Sequence, residues 1–435
     1  MSLFQSILAV TVLLGAYLLI VLDRLEGTIA ALIGATVLIV AGVLNQHEAI
    51  GFVDFNTIGL LAGMMLIVSV ARKSGVFSYL AIRAAQLVRA SPAGVLATFA
   101  LGTALLSAFV NNVTVVLLVV PVTFVMCDEL GIGAHPFLFS EILASNIGGT
   151  ATLIGDPPNI IIGSATGLGF DAFAWHLAPI CTVILVLQIA AVHVLAGRTM
   201  QASPESRQRI MAIRAARAIE SRYLLVCSLI VIPAVLAALI MADMLRLEPA
   251  TVALSGAGVL LLLQSVTAPR TARREQLSHS LAEVEWTMLI FLVGLFVMIG
   301  AVQKAGLLGV IGKLLLAFSA HSPAVAAAVV LWLSALLSAL VDNVPYVAAM
   351  IPVIKSIAPA LGGSKAMGSL WWALALGAGL GGNGTLIGAS ANMAVAALAE
   401  RSGLRFGFLQ FALRAFPLML VSIAVAQVYI LWRYA

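Results

Sequence analysis

Charge is what this sequence has least of: only 9% of its 435 residues are Asp, Glu, Lys or Arg, against about a quarter in a soluble domain. Beside 62% apolar residues, that scarcity excludes a soluble enzyme, a nucleic-acid binder and a disordered scaffold, because only lipid can solvate so much apolar surface. Cysteine is nearly as scarce. Cys127, Cys181 and Cys227 stand far apart inside apolar runs, which gives neither a disulfide framework nor a metal-ligand spacing. No cofactor and no nucleic-acid partner is expected, the net charge of +5 notwithstanding. A basic leader is also missing: the first apolar run has no n-region and no cleavage site, and reads as a retained span. What is present in quantity is span-length apolar sequence, enough for about ten to twelve crossings.

Those spans are one pattern used twice. Aligning Phe55–Gly63 with Trp286–Gly294 brings Lys73 onto Lys304, Gly75 onto Gly306 and Ser91-Pro92 onto Ser322-Pro323. The same register sets Asn111-Asn112 on Asp342-Asn343 and Pro121 on Pro352. After a two-residue insertion, Thr152-Leu153-Ile154-Gly155 meets Thr385-Leu386-Ile387-Gly388, and Asn159 meets Asn392. Shared apolar composition does not keep polar and proline positions in step over such a length. The chain divides into a first repeat at 1–197, an Arg-rich cytoplasmic linker at 198–222, and a second repeat at 223–435.

Each half offers apolar segments, an amphipathic stretch, two apolar limbs joined by two residues, and a long segment interrupted by glycine and polar residues. Two spanning helices do not reverse in water over Asn111-Asn112 alone, so the limbs are expected to form a re-entrant hairpin with its tip inside the membrane. The expected fold is an all-α polytopic membrane protein of two inverted repeats. Each repeat has five spans, one interfacial helix and one re-entrant hairpin, and one of its spans is broken at mid-membrane. Five is odd, so the second repeat is inverted. That topology collects seventeen basic residues on one side, among them Arg72, Arg198, Arg209, Arg270 and Arg414, against six on the other. The richer side is cytoplasmic, which puts both termini outside a cell (inner or plasma) membrane. The linker reads as a solvated, positive-inside loop.

Inverted repeats with broken helices place a transport site where the breaks meet. The hairpin tips carry Asn111, Asn112 and Thr114 in one half, and Asp342, Asn343 and Tyr346 in the other. The interrupted segments carry Asn146, Thr150, Thr152 and Asn159, then Asn383, Thr385, Ser390 and Asn392. Their amides and hydroxyls are neutral oxygen ligands for a cation and hydrogen-bond partners for a small polar solute. The competing reading is that they glue helices and satisfy broken backbone. Asp156, Asp342 and Glu141 are acids at membrane depth, where an ionisable group marks an ion or proton path by default. Asp156 aligns with Ala389 and Asp342 with Asn111, so the repeat itself requires neither acid. No Lys or Arg falls at the breaks. Such a pocket suits a cation, a proton, or a neutral solute exchanged for a proton, and suits a bare dianion poorly.

Asn146-Ile147-Gly148-Gly149-Thr150-Ala151-Thr152-Leu153-Ile154-Gly155-Asp156-Pro157-Pro158-Asn159 resembles a hallmark of the ion transporter superfamily. Within it the chain is most similar to the branch of arsenite permeases, NhaD-type sodium/proton antiporters and the melanosomal P protein, with Asp342-Asn343-Val344-Pro345 closest to the last. The resemblance implies a homodimer with scaffold and transport domains, an elevator-like movement, and binding at the tips and broken helices. The dicarboxylate branch has a Ser-Asn-Thr tip, where this chain has Asn112-Val113-Thr114 and Asn343-Val344-Pro345.

The function expected is proton-coupled efflux of arsenite or antimonite, a small inorganic substrate, through Asp156 and Asp342. Sodium/proton antiport is the alternative, and an anion or dicarboxylate permease a further one. A soluble ATPase could dock on the linker. A passive channel and an intramembrane aspartyl protease fit less well, the protease because Leu153-Ile154 stands where a Gly-x-Gly-Asp element needs its first glycine.

Overall fold

Where lipid is the solvent, backbone N–H and C=O groups must pair within their own segment. Every regular element among the described residues is accordingly helical. The computed structural model describes residues 2–21, 24–196, 200–267, 269, 271, 273–319, 322–361 and 364–434, so Arg198 and Arg270 lie outside the described residues.

The first half runs through α1 (Leu3–Val21), α2 (Gly27–Val40), α3 (Gln46–Phe52), α4 (Phe55–Arg72), α5 (Val76–Leu87) and α6 (Pro92–Ser107). It continues with α7 (Asn112–Leu130), α8 (His135–Thr150), α9 (Pro157–Thr166) and α10 (Phe170–Ala196). The joint holds α11 (Pro204–Ala212). The second half follows with α12 (Arg222–Ile240), α13 (Ala242–Leu245), α14 (Pro249–Thr267), α15 (Arg273–Ala282), α16 (Trp286–Lys304) and α17 (Leu307–Ser319). Last come α18 (Pro323–Ser338), α19 (Asn343–Ile357), α20 (Ser364–Gly381), α21 (Ser390–Arg401) and α22 (Phe408–Tyr434). Among the described residues, eight helices are long and apolar enough to cross a bilayer, namely α1, α4, α7, α10, α12, α14, α16 and α22. At 16 residues, α6 and α18 are each about 24 Å long and fall short of a hydrocarbon core about 30 Å thick.

The elements α4 to α10 recur in order as α16 to α22, and the halves interlock reciprocally. The α2 helix packs on α16 while α14 packs on α4; α7 packs on α21 while α19 packs on α9. The scaffold crossings are built on matching glycines. A Cβ at Gly63 would run into the Ala253 backbone, and one at Gly294 into the Ala31 backbone. Only hydrogen lets those helices approach so closely.

Three connectors carry helices of their own. The linker is not a bare loop: α11 and a 3-10 turn at Ala215–Ala218 lie against α5 and α7. Gln86 Nε2 donates to the carbonyls of Ile210 and Ile213, and Arg209 pairs with Glu129 at 3.3 Å. The polar segments 46–52 and 273–282 are also helical. The first starts at a capping box, Asn45 with Glu48, and Lys304 Nζ sits 2.7 Å from that carboxylate. The ammonium beside it holds the Glu48 carboxyl below the usual carboxylate range.

Candidate functional site

Both hairpins reverse on a capped turn. Asn111 Oδ1 accepts the Val113 N–H at 2.9 Å at the start of α7, and Asp342 Oδ1 accepts the Val344 N–H at 3.0 Å at the start of α19. The broken segments are tied off by a set of bonds that appears once per half. Ser107 Oγ donates to the Ser145 carbonyl and Ser338 Oγ to that of Ala378, both at 2.7 Å. Thr152 donates to the Ala108 carbonyl as Thr385 does to that of Ala339. Asn159 Nδ2 reaches the carbonyls of Thr150 and Thr152 at 3.0 and 2.8 Å; Asn392 Nδ2 reaches those of Gly382 and Thr385 at 2.7 and 2.8 Å. These amide N–H groups are committed to carbonyls that the helix breaks would leave unpaired. Replacing Asn159 with Ala should therefore cost about 1–3 kcal/mol, read as a lower thermal unfolding midpoint in detergent, and Asn392→Ala should do the same.

What differs between the halves lies between these ties. Asp156 opens α9 and is 2% exposed. Asn112 Nδ2, from the first tip, is 3.3 Å from its Oδ1, and Asn343 Nδ2, from the second tip, donates to its Oδ2 at 3.0 Å. Equivalent residues of the two repeats thus close on one carboxylate. Asn112 Nδ2 also faces Asn146 Oδ1 at 3.3 Å, and Asn146 Nδ2 donates to Asn383 Oδ1 and Asn392 Oδ1 at 2.9 and 2.8 Å. The chain of amides crosses from one half to the other. Next to Asn343, Asp342 Oδ2 accepts from Ser390 Oγ at 2.8 Å; Asp342 is half-buried and Ser390 is exposed. Among the described residues no Lys or Arg pairs with either aspartate.

Glu141 and Thr150 make no bond to either aspartate. Glu141 is 1% exposed and turned to α7, where its Oε1 is 2.5 Å from Thr123 Oγ1; among the described residues its Oε2 has no partner. Thr123 Oγ1 is also 3.2 Å from the Val119 carbonyl. Thr150 gives its hydroxyl to the Asn146 carbonyl at 2.7 Å and so supports the amide chain from within α8.

Thr114 points to a residue that sequence reasoning missed. Its Oγ1 lies 3.5 Å from Oε1 of Glu285, just ahead of α16, while Asn111 Nδ2 lies 3.9 Å from Met288 Sδ. Asp54, the repeat equivalent of Glu285, spends its carboxylate on capping α4 through Asn56, Thr57 and the Thr57 hydroxyl. Glu285 makes no such cap. Tyr17 was missed as well; its hydroxyl donates to the Pro345 carbonyl at 3.0 Å.

A family model described as a citrate transporter, CitMHS, matches residues 17–377. The chain belongs to the CitMHS family. An uncharacterized transporter of Mycobacterium bovis is 40% identical over 434 residues, 99% of each chain. The mouse P protein is 33% identical over 97% of this chain, which spans 60% of that protein's length. Among solved structures, the YdaH transporter of Alcanivorax borkumensis aligns with a TM-score of 0.61 at 17% identity, covering 89% of this chain and 86% of that one. This CitMHS member is thus a multi-pass membrane transporter with a YdaH-like helical fold.

Proposed function

We propose that the protein is a secondary transporter of the plasma membrane in which Asp156 and Asp342 couple proton movement to efflux of arsenite or antimonite by alternating access. The observation that carries this reading is the buried Asp156 carboxylate held by Asn112 and Asn343, one from each hairpin tip, with no fixed cation beside it. Such a carboxylate binds a proton or a small cation, and the surrounding amides can hydrogen-bond a neutral trihydroxide without a positive charge. An inverted arrangement is supported at the scaffold: Phe52, three residues ahead of α4, would meet a Cβ at Gly300, near the end of the repeat-equivalent α16.

Both tips lie at one end of the scaffold. Thr114 meets Glu285 at the start of α16, and Pro345 meets Tyr17 near the end of α1. The positive-inside rule makes that end cytoplasmic, so we infer a site poised toward the cytoplasm, with Glu285 at its mouth.

The family description favours a second reading, citrate carried together with a cation held by the two aspartates. Everted vesicles energised by a pH gradient separate the readings. Arsenite accumulation that collapses with an uncoupler supports the first. Citrate uptake that requires a divalent cation supports the second, and sodium-dependent dissipation of the gradient without either solute makes the protein a sodium/proton antiporter.

A further inference from the structure

The seam between the antiparallel helices α10 and α22 is tied along part of its length and open at one end. Tyr429 OH donates to the His176 carbonyl at 2.6 Å, and Gln188 Nε2 donates to Ser422 Oγ at 2.9 Å. Beyond Gln188 the helices part around a cavity of about 510 Å³. Its walls are apolar: Leu195 lies on one side, and Phe139 and Phe411 meet edge to face at 5.4 Å on the other. Its rim is basic, with Arg405, Arg414 and His135, and among the described residues no Asp or Glu lines it. Among the described residues, neither arginine takes part in an ion pair or a hydrogen bond. A narrower apolar cavity of about 40 Å³ continues the same seam between Ala191 and Leu418. The neighbouring outer faces are bare hydrocarbon, Val194 being 78% and Leu413 69% exposed, so the cleft adjoins the lipid phase as well as water.

Two unpaired guanidiniums over a greasy cleft, at the face where basic residues concentrate, match an anionic lipid in both charge and shape. A soluble anion would find the charge but gain nothing from the apolar walls or from the second apolar cavity along the seam. We propose that this cleft binds one anionic phospholipid, its phosphate held by Arg405 and Arg414 and an acyl chain laid between α10 and α22. The α10 helix packs on α8, and α22 packs on α20, so the lipid would brace the supports of both broken segments. The proposal stands whichever substrate the carrier moves.

Native mass spectrometry of the purified protein with equimolar phosphatidylglycerol and phosphatidylcholine tests it. The wild type is expected to retain one phosphatidylglycerol preferentially, and the R405Q/R414Q variant to bind it about tenfold more weakly or less. Leu195→Trp, which fills the cleft and leaves the charge in place, should lower the same binding and so separates lipid seating from a general charge effect. Equal retention of the two lipids by the wild type, or an unchanged preference in both variants, overturns the proposal. Displacement of phosphatidylglycerol by millimolar inorganic phosphate would also overturn it, leaving a soluble-anion site.

Discussion

Asp156→Asn is expected to lower coupled transport roughly a hundredfold or more, the range lost when a positioned proton-transfer group is removed. The substitution keeps the shape of the side chain but replaces one accepting oxygen with a donor. Asn112 and Asn343 both present N–H groups to this residue, so one of them would then face another donor. Neutralising Asp342 tests a different part of the cycle. Asp342→Asn recreates the Asn-Asn pair of the first tip, which the same fold already accommodates at Asn111-Asn112. That variant is expected to fold normally and to exchange substrate downhill, while failing to accumulate it against a gradient. Counterflow exchange measured beside gradient-driven uptake in proteoliposomes reads the two properties separately. If Asp156→Asn transports at the wild-type coupled rate, the site lies elsewhere.

The largest loss of stability is expected at Gly148→Ala and at its counterpart Gly381→Ala. A Cβ at Gly148 would fall on the backbone of Ala104, and one at Gly381 on the backbone of Ala335, the equivalent crossing of α18 and α20. Neither obstacle is a side chain that can swing aside. Overpacking commonly costs about 1–3 kcal/mol, and a fixed carbonyl puts these changes at or above the upper end. Size-exclusion profiles after stepwise heating should show both variants collapsing well below the wild type. Gly102→Ala and Gly258→Ala are the controls: a Cβ there meets nothing, and replacing a helical glycine should leave stability unchanged or raised by about 0.5–1 kcal/mol.

The repeat and its breaks were legible because polar and helix-breaking residues stand out against apolar runs. Asn112, Asn146, Asp156, Asn343, Asn383 and Asn392 could therefore be named before their contacts were known. Their division of labour could not. Asn159 and Asn392 each turn an amide onto their own broken backbone, whereas Asn112 and Asn343 turn theirs onto Asp156; composition is the same in both cases, and only the path of the chain decides. Glu141 shows the same limit, since a helical period places it on α8 without saying that it faces Thr123 on α7 and not the cluster. Glu285 was hidden for the opposite reason: it sits in a polar connector, where one more carboxylate attracts no attention. The α3 helix did carry a signal, the Asn45–Glu48 capping box, but seven polar and apolar residues between two long spans read more readily as a loop.

The reciprocal packing has a consequence for how the protein is made. The surfaces of α4 and α9 that receive α14 and α19 belong to the first half, whereas their partners lie in the second. At a synthesis rate of about 5–20 residues per second, the first half must wait on the order of ten seconds or more before those partners leave the ribosome. During that interval the glycine-lined face of α4 and the Asp156 end of α9 lack their second-half partners. The nascent chain therefore depends on the insertion machinery, or on lipid, to keep its first half unpaired and correctly oriented until the second arrives.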